Sequence, residues 1–330
     1  MRAFEYTTAA SAAEAVLAVT PGTRFLAGGT NLYDLMKLGV EAPEAVVDVT
    51  RVPELARTDT SGPDELVFGS GARMADVAED PVLLRDYPAL AQSLALAASQ
   101  QLRTMATVGG NLLQRTRCAY FRSTAHPCDK REPGTGCPVR GGLDRGFAVL
   151  GLGETCVAVY PGDWAVALLA FDAVIDVLGP SGTRTVPLGD LHRLPGSTPH
   201  LEHTLAQDEL ITAIRVPTTR AGRASTYLKI RDRESYAFAL TSAAAALAFD
   251  GDAVTEARIA VGGVATKPWR SREAEALLVG GPLTQETARA AGEAIFAEAV
   301  PGRHNGFKIE LGVRTVADAL FHAARTGESR

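Results

Sequence analysis

The sequence has no excess of basic residues and no long apolar run. Its 330 residues include 33 Lys and Arg against 38 Asp and Glu, a formal net charge of −5. Proteins that bind nucleic acid through a broad charged surface are basic, so this balance argues against such a partner. No stretch approaches the roughly 18 apolar residues of a membrane span, and the N-terminus lacks the pattern of a signal peptide. We therefore expect no nucleic-acid partner, no signal peptide and no membrane insertion.

Two common nucleotide-binding motifs are also missing. The chain contains neither G-x-G-x-x-G nor G-x-x-x-x-G-K-[ST], so a Rossmann site and a P-loop lack support. What the chain does have is a hydrophobic content of 46%, over a length that suggests two domains. It is long and apolar enough to fold around proper cores.

The chain has only four cysteines, and all lie between positions 118 and 156. They are separated by nine, eight and eighteen residues, so no pair has the C-x-x-C spacing of a zinc ribbon or a thioredoxin motif. The sequence between them is rich in glycine and proline, which predicts a long irregular loop. Such a loop needs a cross-link, and the candidates are Cys118, Cys128, Cys137 and Cys156.

Several interpretations of these cysteines remain open. They fit two disulfides, a structural zinc, an iron–sulfur cluster, or unrelated buried thiols. Residues 114–145 carry seven basic side chains against three acidic ones. A positive environment favours thiolates and offsets the negative charge of a thiolate-bound cluster, although a solvated loop face would have the same composition.

The first half of the chain contains two glycine-rich segments. A short strand at 24–27 runs into Gly28-Gly29-Thr30-Asn31, which is followed by apolar residues at helical spacing. Residues 107–111 form a second segment of this kind, after a helix at 88–99. Glycines let backbone N–H groups approach an anion closely, so both segments are candidates for contact with a phosphate or pyrophosphate, although a Gly-Gly pair between strand and helix also fits a plain tight turn. We expect the cysteine loop to lie elsewhere.

The remaining elements divide the chain in two. Ser11 opens a first helix as its N-cap, and Asp163 opens a later helix that extends through Leu169. Strands are predicted at 45–49, 66–70, 173–178 and 209–216. The polar segment 217–222 predicts the boundary between the two parts. Beyond it we expect strands at 224–231, 237–249 and 254–264, a hairpin turn at 250–252, and helices near 271–278, 284–299 and 307–324.

The full glycine-rich strings resemble a known family. FLAGGTNLYDLMKLGV (25–40) and TVGGNLLQRTRCAYF (107–121) resemble the flavin-binding subunit of the xanthine dehydrogenase and aldehyde oxidase family of molybdenum hydroxylases. The segments at 162–173, 227–240 and 259–270 also fit this family, so the resemblance covers nearly the whole chain. The stretch from NLLQRTRC to PCDKREPGTGC is similar to a subgroup of periplasmic aldehyde oxidoreductases whose flavin subunit carries an additional 4Fe-4S cluster.

The resemblance implies an α+β fold. Residues 1–220 would form a two-subdomain FAD-binding domain of the vanillyl-alcohol oxidase (PCMH) type, with an iron–sulfur loop inserted at about 114–157. Residues 221–330 would form a C-terminal domain with a small antiparallel sheet and helices.

The resemblance also assigns roles to individual residues. The first FAD segment would comprise Phe25, Leu26, Ala27, Gly28, Gly29, Thr30, Asn31, Leu32 and Tyr33, and the second Thr107, Gly110 and Asn111. Asp163 would contact FAD and Lys229 would lie beside the isoalloxazine ring, whereas a plain helix cap and an ordinary strand lysine are the simpler interpretations. The cluster ligands would be the four cysteines.

The implied protein is an electron-transfer subunit with no catalytic residue of its own. Its partners would be a large subunit with the molybdenum cofactor and a small subunit with 2Fe-2S clusters, in a heterotrimer that oxidises an aldehyde. FAD would pass electrons to an external acceptor. Export to the periplasm would depend on a partner's signal, and a cytoplasmic location is the alternative. Two other functions stay open: a stand-alone FAD oxidase of the same fold, and a zinc-stabilised interaction module without catalytic activity.

Overall fold

A computed structural model of the chain describes residues 1–328. The strands are β1 Glu5–Thr8, β2 Thr23–Leu26, β3 Ala45–Asp48, β4 Thr58–Asp59, β5 Glu65–Gly69, β6 Val174–Gly179, β7 Gly182–Pro187, β8 Leu210–Pro217, β9 Ala224–Ile230, β10 Thr241–Asp250, β11 Ala253–Gly262 and β12 Trp269–Arg270. The α-helices are α1 Ala12–Leu17, α2 Leu32–Lys37, α3 Met74–Ala78, α4 Pro81–Asp86, α5 Pro88–Ala95, α6 Gln100–Arg103, α7 Val108–Leu112, α8 Trp164–Ala170, α9 Leu188–Leu191, α10 Arg272–Ala276, α11 Gln285–Ile295 and α12 Phe307–Glu328.

The N-terminal sheet is small and parallel, with the strand order β1-β3-β2. Its central strand β3 is mostly buried, and β2 pairs with it so that Phe25 lies opposite Val47. Helix α1 begins as predicted, because the Ser11 side chain accepts a hydrogen bond from the Glu14 N–H. The first glycine-rich segment leaves this sheet directly from the end of β2.

A five-stranded antiparallel sheet, in the order β4-β5-β8-β6-β7, forms the middle of the molecule. Helices α3, α5 and α8 contribute to its core. Phe68 and Trp164 are fully buried there, with ring centroids 5.7 Å apart in an edge-to-face arrangement. Strand β7 was not predicted, because its sequence GTRTVP is largely polar and exposed.

The C-terminal sheet is antiparallel in the order β12-β11-β10-β9. The predicted hairpin joins β10 to β11, and Gly251 supplies the positive φ of +58° that the turn requires. Strand β10 is rich in alanine and buried over most of its length, so α8 and α12 both approach it closely. It begins at Thr241, four residues later than predicted.

These elements confirm an α+β fold. The predicted helix at 88–99 ends at Ala95, and the one at 284–299 ends at Ile295. Between α7 and α8 the chain is irregular apart from a 3-10 turn at Pro138–Gly141, as its glycines and prolines predict. No helix within residues 1–328 is long and apolar enough to cross a membrane.

Candidate functional site

A cavity of about 510 Å³ lies where the two glycine-rich segments meet. Most of the predicted cofactor residues line it: Phe25, Ala27, Gly28, Gly29, Thr30, Asn31, Leu32, Thr107 and Gly110. Leu26, Tyr33 and Asn111 do not belong to its lining. Tyr33 is 49% exposed on the outer face of α2, where the Lys37 ammonium lies 5.2 Å from its ring centroid.

The first segment presents a row of backbone donors to this cavity. Gly29 turns the chain with a φ of +72°, and its carbonyl accepts a hydrogen bond from the Tyr33 N–H. Within residues 1–328, no protein acceptor takes up the five N–H groups from Gly28 to Leu32. Successive backbone donors that line a cavity and lack a protein acceptor are suited to bind an anion. The segment therefore has the chemistry of a phosphate cradle.

Asn31 adds a side-chain donor to this cradle. Its Oδ1 accepts the Arg115 N–H at 3.2 Å, which fixes the orientation of the amide. Its Nδ2 is buried and has no partner in the described chain. A buried amide N–H without a partner is costly, so a bound ligand with an acceptor oxygen would stabilise it.

The two glycine-rich segments are in direct contact. A Cβ on Gly28 would lie 1.9 Å from the Met105 carbonyl oxygen, so only glycine fits there. A Cβ on Gly110 would lie 4.0 Å from Ala27 Cβ, which places the two segments face to face. The backbone of the first segment thus packs closely against the chain at and just before the second segment, which closes the cavity along one side.

The second segment is not a turn like the first. It forms the short helix α7, and Thr107 Oγ1 caps it by accepting the Gly110 N–H at 3.3 Å. The expectation that its backbone N–H groups face an anion is wrong, because the protein itself satisfies them. The acceptors are Ala72 O for Val108 N (2.9 Å), Ser70 O for Gly109 N (2.8 Å) and Thr107 O for Asn111 N (2.9 Å). The buried Asn111 Oδ1 still lacks a partner within residues 1–328.

Another part of the cavity wall comes from residues 192–211, none of which is among the predicted cofactor residues. His192 is buried, and burial lowers its pKa to about 4. Its Nε2 lies 2.9 Å from the Leu112 carbonyl, which only accepts, so Nε2 carries the proton of a neutral ring. The Nδ1 acceptor is buried without a partner in the described chain. The cluster of His192, His200, Glu202 and His203 in a proline-containing stretch is the signal that could have identified this wall.

A second cavity, of about 350 Å³, adjoins the first, and Thr116, Val159 and Tyr160 line both. Asp163 lies in its wall. Lys229 does not line it but is buried behind Asp163, with Nζ 2.8 Å from Oδ2. The predicted capping role of Asp163 is wrong: it occupies the N-cap position of α8, but its side chain makes no cap hydrogen bond.

A buried network explains why Asp163 does not cap. Its Oδ1 accepts the Tyr227 hydroxyl at 2.8 Å, while Lys229 Nζ also donates to the Leu96 carbonyl at 3.1 Å. Burial raises the pKa of Asp163, and the positive charge of Lys229 opposes this shift. Burial likewise raises the pKa of Tyr227 well above its ordinary value. The network ties α8 to β9 beneath the second cavity.

All four cysteines line one further small cavity. Its walls also include Tyr120, Phe121, Asp129, Lys130, Val139, Phe147, Val157 and Ala158. The free space among these side chains is about 10 Å³, which is room for one water-sized sphere. All four are thiols rather than disulfides. Among the described residues, no three Cys, His, Asp or Glu side chains are grouped so that they could hold a single metal ion.

Hydrogen bonds between side chains and backbone groups of the same loop hold the segment that carries these cysteines. Arg131 donates to the carbonyls of Tyr120 and Phe121, and Asp129 Oδ1 accepts the Gly136 N–H at 2.6 Å. Burial raises the pKa of Cys118 to about 11 and also raises that of Cys156. The thiols of Cys118 and Cys156 are therefore protonated near neutral pH, and a ligand that binds their thiolates must displace these protons.

The cysteine loop lies against the larger cavity, the one beside the glycine-rich segments. The expectation that the loop lies away from these segments is therefore wrong. Leu35 of α2 packs on Phe121 and Cys128, and Asp34 forms an ion pair with Arg122 at 2.8 Å. The two cavities also share part of their walls, namely Lys130, Cys156 and Ala158. Two sites that the sequence separates by about 90 residues are neighbours in the fold.

The residues of the larger cavity fit the dinucleotide FAD. A row of unpaired N–H groups and the spare Asn31 Nδ2 suit the anionic pyrophosphate. The second cavity adjoins the first, which gives an elongated ligand more room than the larger cavity alone. Four thiols line the small cavity, and thiols are the donor type that iron–sulfur clusters use, but the space among them is only about 10 Å³.

Comparison with known proteins agrees with this geometry. Residues 2–219 match the family described as FAD binding domain in molybdopterin dehydrogenase, and residues 226–323 match the CO dehydrogenase flavoprotein C-terminal domain. The aldehyde oxidoreductase FAD-binding subunit PaoB of Escherichia coli (strain K12) is 44% identical over 328 residues, 98% of this chain and 99% of its own. The putative xanthine dehydrogenase FAD-binding subunit XdhB of the same organism is 26% identical over 90% of this chain and 86% of its own.

The fold has been seen in a solved structure of a related enzyme. A chain of carbon monoxide dehydrogenase from Hydrogenophaga pseudoflava superposes with a TM-score of 0.76 and 27% identity, covering 98% of each chain. These matches confirm the resemblance and the α+β fold. The chain therefore belongs to the family of FAD-binding subunits of the molybdopterin-dependent dehydrogenases, and is an oxidoreductase subunit.

Proposed function

We propose that the chain is the electron-transfer subunit of a molybdenum-dependent aldehyde oxidoreductase and holds both FAD and a 4Fe-4S cluster. The observation that carries the proposal is the shared wall: the cavity lined by all four cysteines has Lys130, Cys156 and Ala158 in common with the cavity beside Gly28–Leu32. The aldehyde as substrate class rests on the 44% identity to PaoB over nearly the full length of both chains.

The flavin would be held mainly by the backbone. The N–H groups of Gly28 to Leu32 would donate to the pyrophosphate, with Asn31 Nδ2 as an additional donor. Asp163 would lie beside the ring portion, kept in place by Lys229 and Tyr227. When bound, FAD takes up electrons singly or in pairs and releases them to an acceptor.

The cysteine set favours a cluster over the other interpretations. A structural zinc needs four ligands around one ion, and no such grouping exists among the described residues. The four cysteines are free thiols that line one cavity, which argues against two disulfides. In a cubane cluster each thiolate binds a different iron, so the ligands surround a volume rather than converge on a point. The loop side chains must move outward to admit it, because the present space is about 10 Å³.

The organic substrate would be oxidised in a partner subunit. We propose a heterotrimer in which a large subunit carries the molybdenum cofactor and a small subunit carries 2Fe-2S clusters, with an external acceptor that takes electrons from this chain. In this arrangement none of its side chains performs acid–base chemistry on the aldehyde. Residues 1–220 and 221–330 would act as the flavin domain and the C-terminal domain. Location in the periplasm would follow from co-export with a partner.

The test is the cofactor content of four single variants, Cys118→Ser, Cys128→Ser, Cys137→Ser and Cys156→Ser. Each should lose the whole cluster, because the chain holds no other cysteines that could substitute. Pairwise loss, or full iron in any one variant, would contradict the ligand set. Zinc without flavin in the wild type would support the interaction module instead, and aldehyde turnover by the isolated chain would support the stand-alone oxidase.

A further inference from the structure

A buried lysine stands in the wall between the two cavities. Lys130 is 8% exposed and lines both the cysteine cavity and the flavin cavity. Its Nζ donates to the Pro199 carbonyl at 2.9 Å and to Glu202 Oε1 at 3.1 Å. Burying an ammonium group costs free energy even when it is paired, so the fold maintains this charge at a cost.

Lys130 supplies the positive charge in the wall of the cysteine cavity. Among the described residues that line the cysteine cavity, it is the only one with a positive side chain. The one carboxylate in that lining, Asp129, is engaged by the Gly136 N–H at 2.6 Å. Other basic residues of the loop are paired elsewhere: Arg122 with Asp34, and Arg145 with Asp232.

We propose that Lys130 sets the reduction potential of the cysteine-bound cluster. This rests on the proposed function, because it presupposes iron in the cavity. Reduction adds one negative charge to a cluster that is already negative, and a fixed positive charge in a low-dielectric wall stabilises the reduced form more than the oxidised form. Removal of the Lys130 charge should therefore make the cluster harder to reduce.

Replacing Glu202 should shift the reduction potential of the cluster in the opposite direction. Its carboxylate pairs with Lys130 and with Arg115, whose guanidinium lies 4.5 Å from the Phe121 ring centroid. Phe121 is itself part of the cysteine cavity. Neutralising Glu202 leaves the Lys130 charge without a carboxylate, whereas Arg115 keeps its ion pair with Glu41. The net positive charge beside the cluster rises, so the cluster should become easier to reduce. A merely structural role for Lys130 would not produce shifts of opposite sign from the two partners of one ion pair.

The variants that separate charge from structure are Lys130→Met, Lys130→Arg and Glu202→Gln. Methionine keeps an unbranched apolar stem of similar length without the charge, and arginine keeps the charge. Arg145→Gln is the matched control. It removes a positive charge from the same loop, but at a side chain that is 53% exposed and lies outside the cavity lining.

The experiment is a redox titration of the cluster in the purified complex, followed by electron paramagnetic resonance, with iron and flavin measured in each sample. For Lys130→Met we expect at least a tenfold fall in the ratio of reduced to oxidised cluster at a given applied potential, a shift of about 59 mV to more negative values for a one-electron couple. Glu202→Gln should shift the potential to more positive values. Lys130→Arg and Arg145→Gln should match the wild type.

Other results of the redox titration would contradict the proposal in distinguishable ways. Unchanged potentials in Lys130→Met and Glu202→Gln, with full iron in both, would overturn the inference alone. If Lys130→Met fails to assemble a cluster, Glu202→Gln decides, since a zero or negative shift in it contradicts the electrostatic role. A wild-type complex that shows only 2Fe-2S signals, without a 4Fe-4S signal, would overturn the proposed cluster, and this inference with it.

Discussion

Replacing Gly28 by alanine adds one methyl group where the first glycine-rich segment touches the residues just before the second one. The new Cβ would lie 1.9 Å from the Met105 carbonyl oxygen, 2.7 Å from its carbon and 3.0 Å from Ala106 Cα. All three are backbone atoms, so no side chain can swing away to make room. Restoring an ordinary contact of 3.4 Å requires the segments to separate by about 1.5 Å.

That displacement should weaken FAD binding. The cradle depends on backbone N–H groups aimed at a pyrophosphate, and a shift of more than 1 Å breaks a hydrogen bond of ordinary length. Losing one hydrogen bond to a charged group costs about 1.5–3 kcal/mol, or about 10- to 150-fold in Kd. We therefore expect Gly28→Ala to bind FAD at least about tenfold more weakly than the wild type.

The assay is FAD titration of the deflavinated protein, monitored by quenching of flavin fluorescence. Gly281→Ala is the control, because a Cβ there meets nothing within 4 Å and the residue lies outside both cavities. Gly110→Ala should fall between the two, since its Cβ meets the Thr107 hydroxyl at 3.0 Å and that side chain can move. Equal Kd values for Gly28→Ala and Gly281→Ala would refute the assignment of the cradle.

Three further predictions concern buried charge and the shared wall. Lys229→Met should lower the free energy of unfolding at pH 7 by about 3–5 kcal/mol, because it leaves the buried Asp163 carboxylate without its cation. In urea titrations this loss of stability should shrink toward lower pH, since burial raises the pKa of Asp163 and a protonated Asp163 needs no cation. A loss that does not change with pH would contradict the coupling. Lys308 is fully buried, and burial lowers its pKa to about 8 in the folded protein. Between pH 8 and 10.5 the Lys308 amino group is therefore protonated in the unfolded protein but mostly neutral in the folded one. Wild-type stability should rise over that window by up to about 3 kcal/mol relative to Lys308→Met, and parallel urea midpoints in the two proteins would refute this. Deflavinated protein should release its iron to a chelator faster than the flavin-loaded protein, because Lys130, Cys156 and Ala158 belong to both cavities; equal release rates would show that the sites are independent.

Features fixed by neighbouring residues could be predicted from the sequence. Ser11 caps α1 through a group three residues away, and the hairpin at Gly251 needs only a positive φ between two strands. The cradle itself follows β2 and precedes α2 as expected, because its glycines and the helical spacing after Asn31 are local signals. The resemblance to a family added the cofactor, which spacing alone did not identify.

Features that depend on distant partners could not be predicted. The N–H groups of α7 are taken up by Ser70 and Ala72, some 36 residues earlier in the chain. Asp163 pairs with Lys229, 66 residues later, instead of capping its own helix. Lys130 meets Glu202 across 72 residues. In each case a local motif admits two structures, and packing with a remote segment decides between them. The domain limits and the cysteine ligand set stay predictions.

The most direct test of the account is the cofactor stoichiometry of this chain, prepared without oxygen and separated from any iron-carrying subunit that copurifies with it. Flavin, iron, acid-labile sulfide and zinc are measured on the same sample. The account predicts about one FAD and about four iron atoms for each chain, with matching sulfide and no zinc. FAD without iron, or zinc in place of iron, would contradict a cluster held by Cys118, Cys128, Cys137 and Cys156 beside the flavin.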